Sequence, residues 1–243
     1  MRRAYAIAIA LSLAAAATGS SVAEVAKTPD GKLLARYAPT LILHPEELFA
    51  PVPVEGFLAD SDLLTRATDG TWAPAGVPPA QAGADARLDQ RLCQAVAGPP
   101  AEPCYAAAEA THVSSPTAYG AVFRRGKRVA LQYWLWYPVN VYSPTVPAGP
   151  FWVVHEGDWE AVTVVLDDRE RPLLVGLSSH CGGLRRAWRD APRRGTHPLA
   201  YVAKGSHANY FASGEQRISA LGEALVRRCF TPELVAIYKA YGV

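Results

Sequence analysis

The sequence has little net charge and no internal repeat or low-complexity tract. It contains 24 lysines and arginines against 22 aspartates and glutamates, and Arg2 and Arg3 alone account for that excess. Without a basic surplus, the chain lacks the general electrostatic attraction that nucleic acids and anionic membranes exert on basic proteins. The absence of a repeat excludes a solenoid. No GxSxG motif is present, which disfavours a Ser-His-Asp hydrolase.

The first 23 residues have the features of a secretory signal peptide. Arg2 and Arg3 form a basic start, residues 4–17 are apolar, and Ser21-Val22-Ala23 supplies small residues for cleavage. The apolar run is too short and too rich in alanine to span a membrane well, and no second run follows. We therefore expect an exported protein, periplasmic or secreted, whose mature chain is a single domain over residues 24–243.

Cysteine is scarce, and no CxxC spacing occurs. The four cysteines are Cys93, Cys104, Cys181 and Cys229. Without CxxC pairs a thiolate metal site is disfavoured. An even count in an exported chain favours two disulfides, for which three pairings are possible. We favour Cys93–Cys104, which closes a short proline-rich loop, together with Cys181–Cys229.

Hydrophobic patterning predicts a mainly β fold, an antiparallel β-sandwich with peripheral helices and a long irregular N-terminal region. Five segments have strand-like composition between turn residues: 118–125, 128–138, 158–167, 171–180 and 197–207. Their mostly short, helix-free connections favour antiparallel pairing. A short helix is expected over 31–37, an irregular Ala-, Pro- and Gly-rich insertion over 71–116, and two helices over 215–243.

The segment HEGDWE, residues 155–160, is the strongest candidate for a functional site. On a strand, Asp158 and Glu160 point to one face, which the following valines continue toward the core. His155 would point the other way, but a bulge at Gly157 could bring its imidazole beside the acids. One imidazole and two carboxylates suit Ca²⁺, Mg²⁺ or Mn²⁺. The alternative is a buried ion-pair network that holds no metal.

Two more histidines and both asparagines of the chain lie near strand ends. His180 and His207 each follow an apolar strand, so antiparallel neighbours could bring them to the sheet end that carries HEGDWE. If the site is catalytic, they are the candidate acid or base groups. Asn140 and Asn209 are the only asparagines in the chain. Their position beside these motifs suggests that the amides are required there.

Aromatic residues are concentrated in the same part of the sequence. Such a cluster usually packs in a core, but alternation along a strand sends some of its rings to each face. We treat Trp136, Trp152 and Trp159, with Asn209, as candidate ligand-binding residues. The exposed rings would stack on a sugar or make a peripheral contact with a lipid interface.

Five segments together resemble the vacuolar protein sorting-associated protein sixty-two-like family. They are YAPTLILHPEELFAPVPVEGFL, QYWLWYPVN, HEGDWEAVTVVL, SSHCGG and HPLAYVAKGSHANYF. They occur in order from about residue 36 to residue 211. The most specific part of the match is HxGDWE followed by the GSHA segment.

HEGDWE is also distantly similar to the GHRHDWE heptapeptide of the necrosis- and ethylene-inducing peptide-like toxins. That heptapeptide contributes ligands to a divalent metal, usually Ca²⁺ or Mg²⁺, in a β-sandwich. The resemblance implies His155, Asp158 and Glu160 as metal ligands, with Asn140 in place of the toxins' preceding acid. Gly157 replaces their second histidine, so the resemblance implies a metal site more directly than toxicity.

Three hypotheses follow from the sequence. In the first, an exported β-sandwich binds a divalent cation and, through it, a polar ligand such as a glycan or glycolipid head group. In the second, the same His/Asp/Glu cluster serves a metal-dependent hydrolase of phosphoesters or glycans. In the third, the acids and histidines form a buried polar network in a non-catalytic structural protein.

Overall fold

The computed structural model of the chain describes residues 10–12, 27–76, 86–90, 116–142, 153–179 and 182–214. Within these ranges the strands, in chain order, are β1 (Ala10–Ser12), β2 (Thr40–Leu43), β3 (Ser61–Arg66), β4 (Trp72–Pro74), β5 (Ala86–Gln90), β6 (Thr117–Arg125), β7 (Arg128–Tyr142), β8 (Val153–Asp167), β9 (Pro172–Ser179), β10 (Gly182–Ala187), β11 (Arg193–Arg194), β12 (His197–Val202) and β13 (Asn209–Tyr210). The helices are α1 (Pro29–Tyr37), α2 (Val54–Ala59) and a 3-10 helix (Trp188–Asp190). The prediction of a mainly β fold is confirmed.

The largest sheet has six strands in the order β1-β6-β7-β8-β9-β10. From β6 to β10 it is an antiparallel meander in which each strand pairs with the next. Four of its strands, β6 to β9, correspond to predicted segments. β10 was not predicted, because its two glycines and two arginines interrupt the apolar alternation. β1 pairs parallel to β6 and lies within the predicted signal peptide, which stays a prediction.

A second sheet contains β11, β12 and β13, with β2 paired parallel to β12. β12 corresponds to the predicted segment 197–207 but ends at Val202. The two sheets share one core, in which Leu41 and Ala200 belong to the same buried cluster as Val162 and Leu177. This packing makes the fold a sandwich, with the core face of the large sheet turned toward the second sheet.

A third sheet includes two short strands from within residues 71–116, the stretch that the sequence predicts to be irregular. β4 and β5 both pair antiparallel with β3. These strands have only three and five residues, too few for a two-residue period to stand out from a composition rich in Ala, Pro and Gly.

The helices are short and lie outside the sheets. Thr28 caps α1 by accepting a hydrogen bond from the Gly31 amide at 3.0 Å, so the helix begins slightly before the predicted start. Among the described residues, we find no helix with the length and hydropathy needed to cross a bilayer. The predicted helices over 215–243 lie outside the described residues, as do all four cysteines and therefore both predicted disulfides.

Candidate functional site

The site is built on the pairing of β7 with β8. Asp158 lies opposite Tyr137, and Glu160 lies opposite Leu135. Both acids point to the core face, as predicted, because they alternate in step with the buried Val162. Glu160 is only 2% exposed, and the Asp158 side chain is 14% exposed at the end of the buried face.

His155 and Asn140 lie elsewhere. The two residues pair with each other across β7 and β8, and strand alternation places them on the face opposite Asp158. Asn140 is buried, whereas His155 is exposed and its Nδ1 lies 3.0 Å from the Gly157 carbonyl oxygen. The structure thus brings His155 and Asn140 together, but not beside the two acids.

Gly157 does not form the expected bulge. The β7–β8 register is the same on either side of it, with Tyr137 opposite Asp158 and Val139 opposite Glu156. Its φ of +65° and its lack of a side chain instead allow Trp136 to approach the backbone closely. The ring of Trp136 lies directly against it, where an added Cβ would come within 3.1 Å of two ring carbons and closer still to a third.

His207 is the histidine that the fold brings to the acids. It lies in the turn between β12 and β13, with a φ of +51°, and its ring stacks on Tyr137 at a centroid distance of 3.9 Å. Its Nδ1 is 3.0 Å from Asp158 Oδ2, and its Nε2 is 3.6 Å from Glu47 Oε1. A fully buried imidazole therefore bridges two carboxylates.

The ionisation of this trio follows from its burial and contacts. Burial alone would lower the pKa of His207, but the hydrogen bond to Asp158 and the ion pair with Glu47 raise that pKa to about 9. Burial alone would raise the pKa of Glu47, but His207 and two backbone amides outweigh it and the pKa is lowered. At neutral pH the centre therefore contains an imidazolium between carboxylates.

Glu47 was not among the predicted site residues. It precedes Asp158 by more than a hundred residues of sequence and lies in the segment between β2 and α2. Its oxygens accept hydrogen bonds from the backbone amides of Gly205 at 2.6 Å and Phe49 at 2.9 Å. The only sequence signal is an acid within an otherwise apolar, proline-bounded stretch, and such an acid is usually exposed.

Glu160 is held by a different neighbour. Ser178 in β9 donates its hydroxyl to Glu160 Oε2 and accepts a hydrogen bond from the Ala161 amide at 2.6 Å. The Ser178 hydroxyl is therefore committed to holding a carboxylate.

Several buried polar atoms inside the sandwich, on strands that contact β8, have no partner among the described residues. They are the Tyr137 hydroxyl, the Ser179 hydroxyl and both amide atoms of Asn209. Burial raises the pKa of Tyr137 well above its usual value, and the nearby carboxylates of Glu47, Glu160 and Asp158 raise it further. A phenol in this setting stays protonated and offers both a donor and an acceptor.

The remaining candidates are dispersed. Trp136 is 6% exposed and packs between Phe57 and Trp159. Trp159 is 43% exposed and lies on the outer face of the large sheet. Asn209 is buried in β13, which contacts β8 and β9. Trp152 and His180 lie outside the described residues.

No arrangement of three or more His, Cys, Asp or Glu side chains able to hold a metal ion occurs in the part of the chain that the structure describes. His155 points away from the acids there, and His207 is already engaged with two carboxylates. The predicted ligand set His155, Asp158, Glu160 and Asn140 therefore stays a prediction.

Neither a protein-family model nor a curated protein sequence matches the chain, so the vacuolar sorting resemblance has no support from these comparisons. Among solved structures the chain is similar to toxin-fold proteins of the necrosis- and ethylene-inducing type. It is 15% identical to NLPPya in complex with glucosamine, covering 79% of this chain and 72% of that one, with a TM-score of 0.42. The non-toxic HaNLP3 protein is also 15% identical, covering 72% of this chain and 63% of that one, with a TM-score of 0.38.

Proposed function

We propose that the sheet end marked by Asp158 and Glu160 binds a divalent cation and, through it, a polar ligand such as a glycan. The observation that carries the proposal is the set of buried, unpartnered polar atoms beside these acids. A buried polar group without a partner costs about 1–3 kcal/mol, and an ion or ordered water is a common explanation for such groups.

The donor chemistry fits a hard cation. Asp158 and Glu160 provide carboxylate oxygens on the core face, and Tyr137 and Asn209 provide a hydroxyl and an amide oxygen. Oxygen ligands of this kind suit Ca²⁺ or Mg²⁺, and also Mn²⁺. His155 and Asn140, which the toxin resemblance adds, would join this set only if the strand end rearranged, because they lie on the opposite face.

A bound cation would supply a positive charge to which ligand oxygens can coordinate. The protein's own groups would fix its position. Ser178 orients Glu160 by donating a hydrogen bond to it. His207 orients Asp158, and the Tyr137 ring stacks on the imidazole. Sugar hydroxyls are the natural ligands, since neutral oxygens complete the coordination of Ca²⁺ without adding charge.

The geometry favours binding over hydrolysis. A general acid or base must reach the proton that it transfers, yet His207 is fully buried and both of its nitrogens face carboxylates. Its position indicates that it orients Asp158 and balances charge.

The substitution Asp158→Asn tests the proposal. We expect the metal-free wild-type protein to take up about one equivalent of Ca²⁺ or Mg²⁺ in calorimetric titration, and the variant to bind at least about tenfold more weakly because a charged ligand is lost. Elemental analysis of the purified proteins gives an independent count. Because a cation that binds only the folded state stabilises it, a chelator should lower the Tm of the wild type and leave that of the variant unchanged.

Asp167→Asn is the matched control. It removes a carboxylate at the opposite end of β8, where Asp167 pairs with Arg171 at 2.7 Å, and it should leave cation binding unchanged. Absence of cation binding in the wild type, with Ca²⁺, Mg²⁺ and Mn²⁺ all tested, would overturn the proposal and leave a purely structural role for the buried acids.

A further inference from the structure

The outer face of the large sheet exposes a group of aromatic side chains. Trp134 is 38% exposed and Trp159 is 43% exposed. Their ring centroids lie 6.4 Å apart, and that of Tyr119 lies 5.6 Å from Trp159. These rings come from three neighbouring strands, β6, β7 and β8, and stand on the face opposite Asp158 and Glu160. A contiguous group of exposed apolar rings often marks an interaction site, unlike single exposed apolar residues.

Beside these rings the same face has a floor of small residues. Ala161 pairs with Trp134, Gly183 pairs with Ser178, and Thr163 pairs with Gly176. The small residues line a shallow groove of about 380 Å³. Trp134 pairs with Ala161, so the groove begins beside the aromatic rings, and its floor consists of small side chains and backbone.

Arg185 closes the other side of the groove. It pairs with Gly176 in the β9–β10 register and is exposed. Within the described ranges no carboxylate pairs with it. Neighbouring arginines have structural partners: Arg186 lies over the Phe211 ring at 4.8 Å, and Arg193 donates to the Trp188 carbonyl oxygen at 2.7 Å. The Arg185 guanidinium therefore has no carboxylate partner among the residues that the structure describes.

We propose that this groove binds a segment of an acidic oligosaccharide, one that carries uronate carboxylates. Trp159 would stack on the C–H face of a pyranose ring, and Trp134, whose plane lies at 83° to that of Trp159, would contact the edge of the sugar. Arg185 would pair with a carboxylate, for which its planar fork is suited. Arg185 lies two to three strands away from Trp159 and Trp134, which is about 10–15 Å across the sheet. This length accommodates a short run of linked sugar rings.

This site is separate from the proposed cation site. The sheet lies between the two, because the groove residues Ala161 and Thr163 and the acid Asp158 alternate to opposite faces of β8. Binding in the groove therefore needs no cation. Ser178 lines the groove but donates its hydroxyl to Glu160. A lipid surface fits less well, since Thr163 and Arg185 place a hydroxyl and a charge on this face.

The experiment is calorimetric titration in the presence of a chelator, with tetramers of galacturonate, mannuronate and glucuronate-containing hyaluronan as probes. The methyl ester of each tetramer is the uncharged control. We expect at least one acid tetramer to bind and its ester to bind about tenfold more weakly, because neutralising the carboxylate removes a charge-assisted pair with Arg185.

Three variants locate the site. Trp159→Ala removes a stacking ring and Arg185→Gln removes the charge. Gly176→Thr fills the groove, and a Cβ at Gly176 meets its neighbours only at ordinary contact distances of 3.8–4.0 Å, so the fold should tolerate it. Each variant should weaken binding by about tenfold or more, with an unchanged Tm confirming the fold. Arg194→Gln, an exposed arginine in β11, is the control for charge alone.

Asp158→Asn should bind the acid tetramer as the wild type does, which separates this site from the proposed cation site. The groove proposal is overturned if no acid tetramer binds, if acid and ester bind equally, or if the three groove variants bind like the wild type. Sedimentation with phosphatidylcholine/phosphatidylglycerol vesicles provides the remaining comparison. Vesicle binding that Trp159→Ala abolishes, with no tetramer binding, would make the face a lipid contact instead.

Discussion

Gly157→Ala should lower the free energy of unfolding by about 3 kcal/mol or more. Two costs combine at this position. The backbone has a φ of +65°, and a left-handed conformation costs a residue with a Cβ roughly 1–2 kcal/mol. The new methyl group would also overlap the ring of Trp136, which is fixed between Phe57 and Trp159. Overpacking of this kind typically costs about 1–3 kcal/mol. Urea unfolding followed by tryptophan fluorescence measures the sum.

The chain offers a control that separates these two costs. Gly126 has a φ of +56° in the β6–β7 turn, and a Cβ there would meet nothing within 4 Å. Gly126→Ala should therefore cost only the backbone part, about 1–2 kcal/mol. The double variant Gly157→Ala/Trp136→Leu should lose less than the sum of the two single variants, because leucine removes the overlap. Equal losses in the two alanine variants would contradict the role of Trp136.

The sequence predicts best those strands in which the two-residue hydrophobic period extends over most of the strand. Segments 128–138 and 158–167 alternate in their burial over seven or more residues, and they became β7 and β8. The same period correctly predicted that Asp158 and Glu160 share the core face, because alternation continues through Gly157 without a bulge.

Other features depend on contacts that local pattern does not contain. Glu47 reaches Asp158 through His207, and these residues come from three separate parts of the chain. In the sequence, Glu46 and Glu47 resemble the acids of an ordinary exposed loop. The local pattern does not show that Glu47 contacts His207 and Gly205 of the GSHAN turn. The motif HEGDWE suggested that its own histidine would serve the acids, whereas the structure brings a histidine from another sheet.

The two faces of β8 present side chains of different chemical kinds. Asp158 and Glu160 face the polar centre inside the sandwich, while Trp159, between them in sequence, is exposed on the outer face of the large sheet. A single short motif thus contributes to both proposed sites. This explains why HEGDWE combines acids with an aromatic ring: alternation directs each kind of side chain to its own surface.

His207→Gln should lower the free energy of unfolding by about 3–5 kcal/mol, the typical cost of removing one partner from a buried ion pair. Glutamine can replace a hydrogen bond to Asp158, but it carries no charge, so the buried carboxylate of Glu47 loses its counterion. The double variant His207→Gln/Glu47→Gln should lose less than the sum of the two single variants, because the uncompensated charge is then absent. His197→Gln is the control, since His197 contacts only the Ala38 carbonyl at 2.8 Å among the described hydrogen bonds.

The same residue predicts how the stability of the metal-free protein depends on pH. The pKa of His207 is about 9 in the folded state and about 6.5 in an unfolded chain. Its contribution is therefore complete below pH 6.5 and is lost as the pH rises through 9, in total ~3 kcal/mol by linkage. Urea unfolding in chelator between pH 6 and pH 10 should show this decline in the wild type and a flatter profile in His207→Gln. Parallel profiles would mean that the imidazole is neutral in the folded protein, and that Glu47 and Asp158 are held by hydrogen bonds and not by its charge.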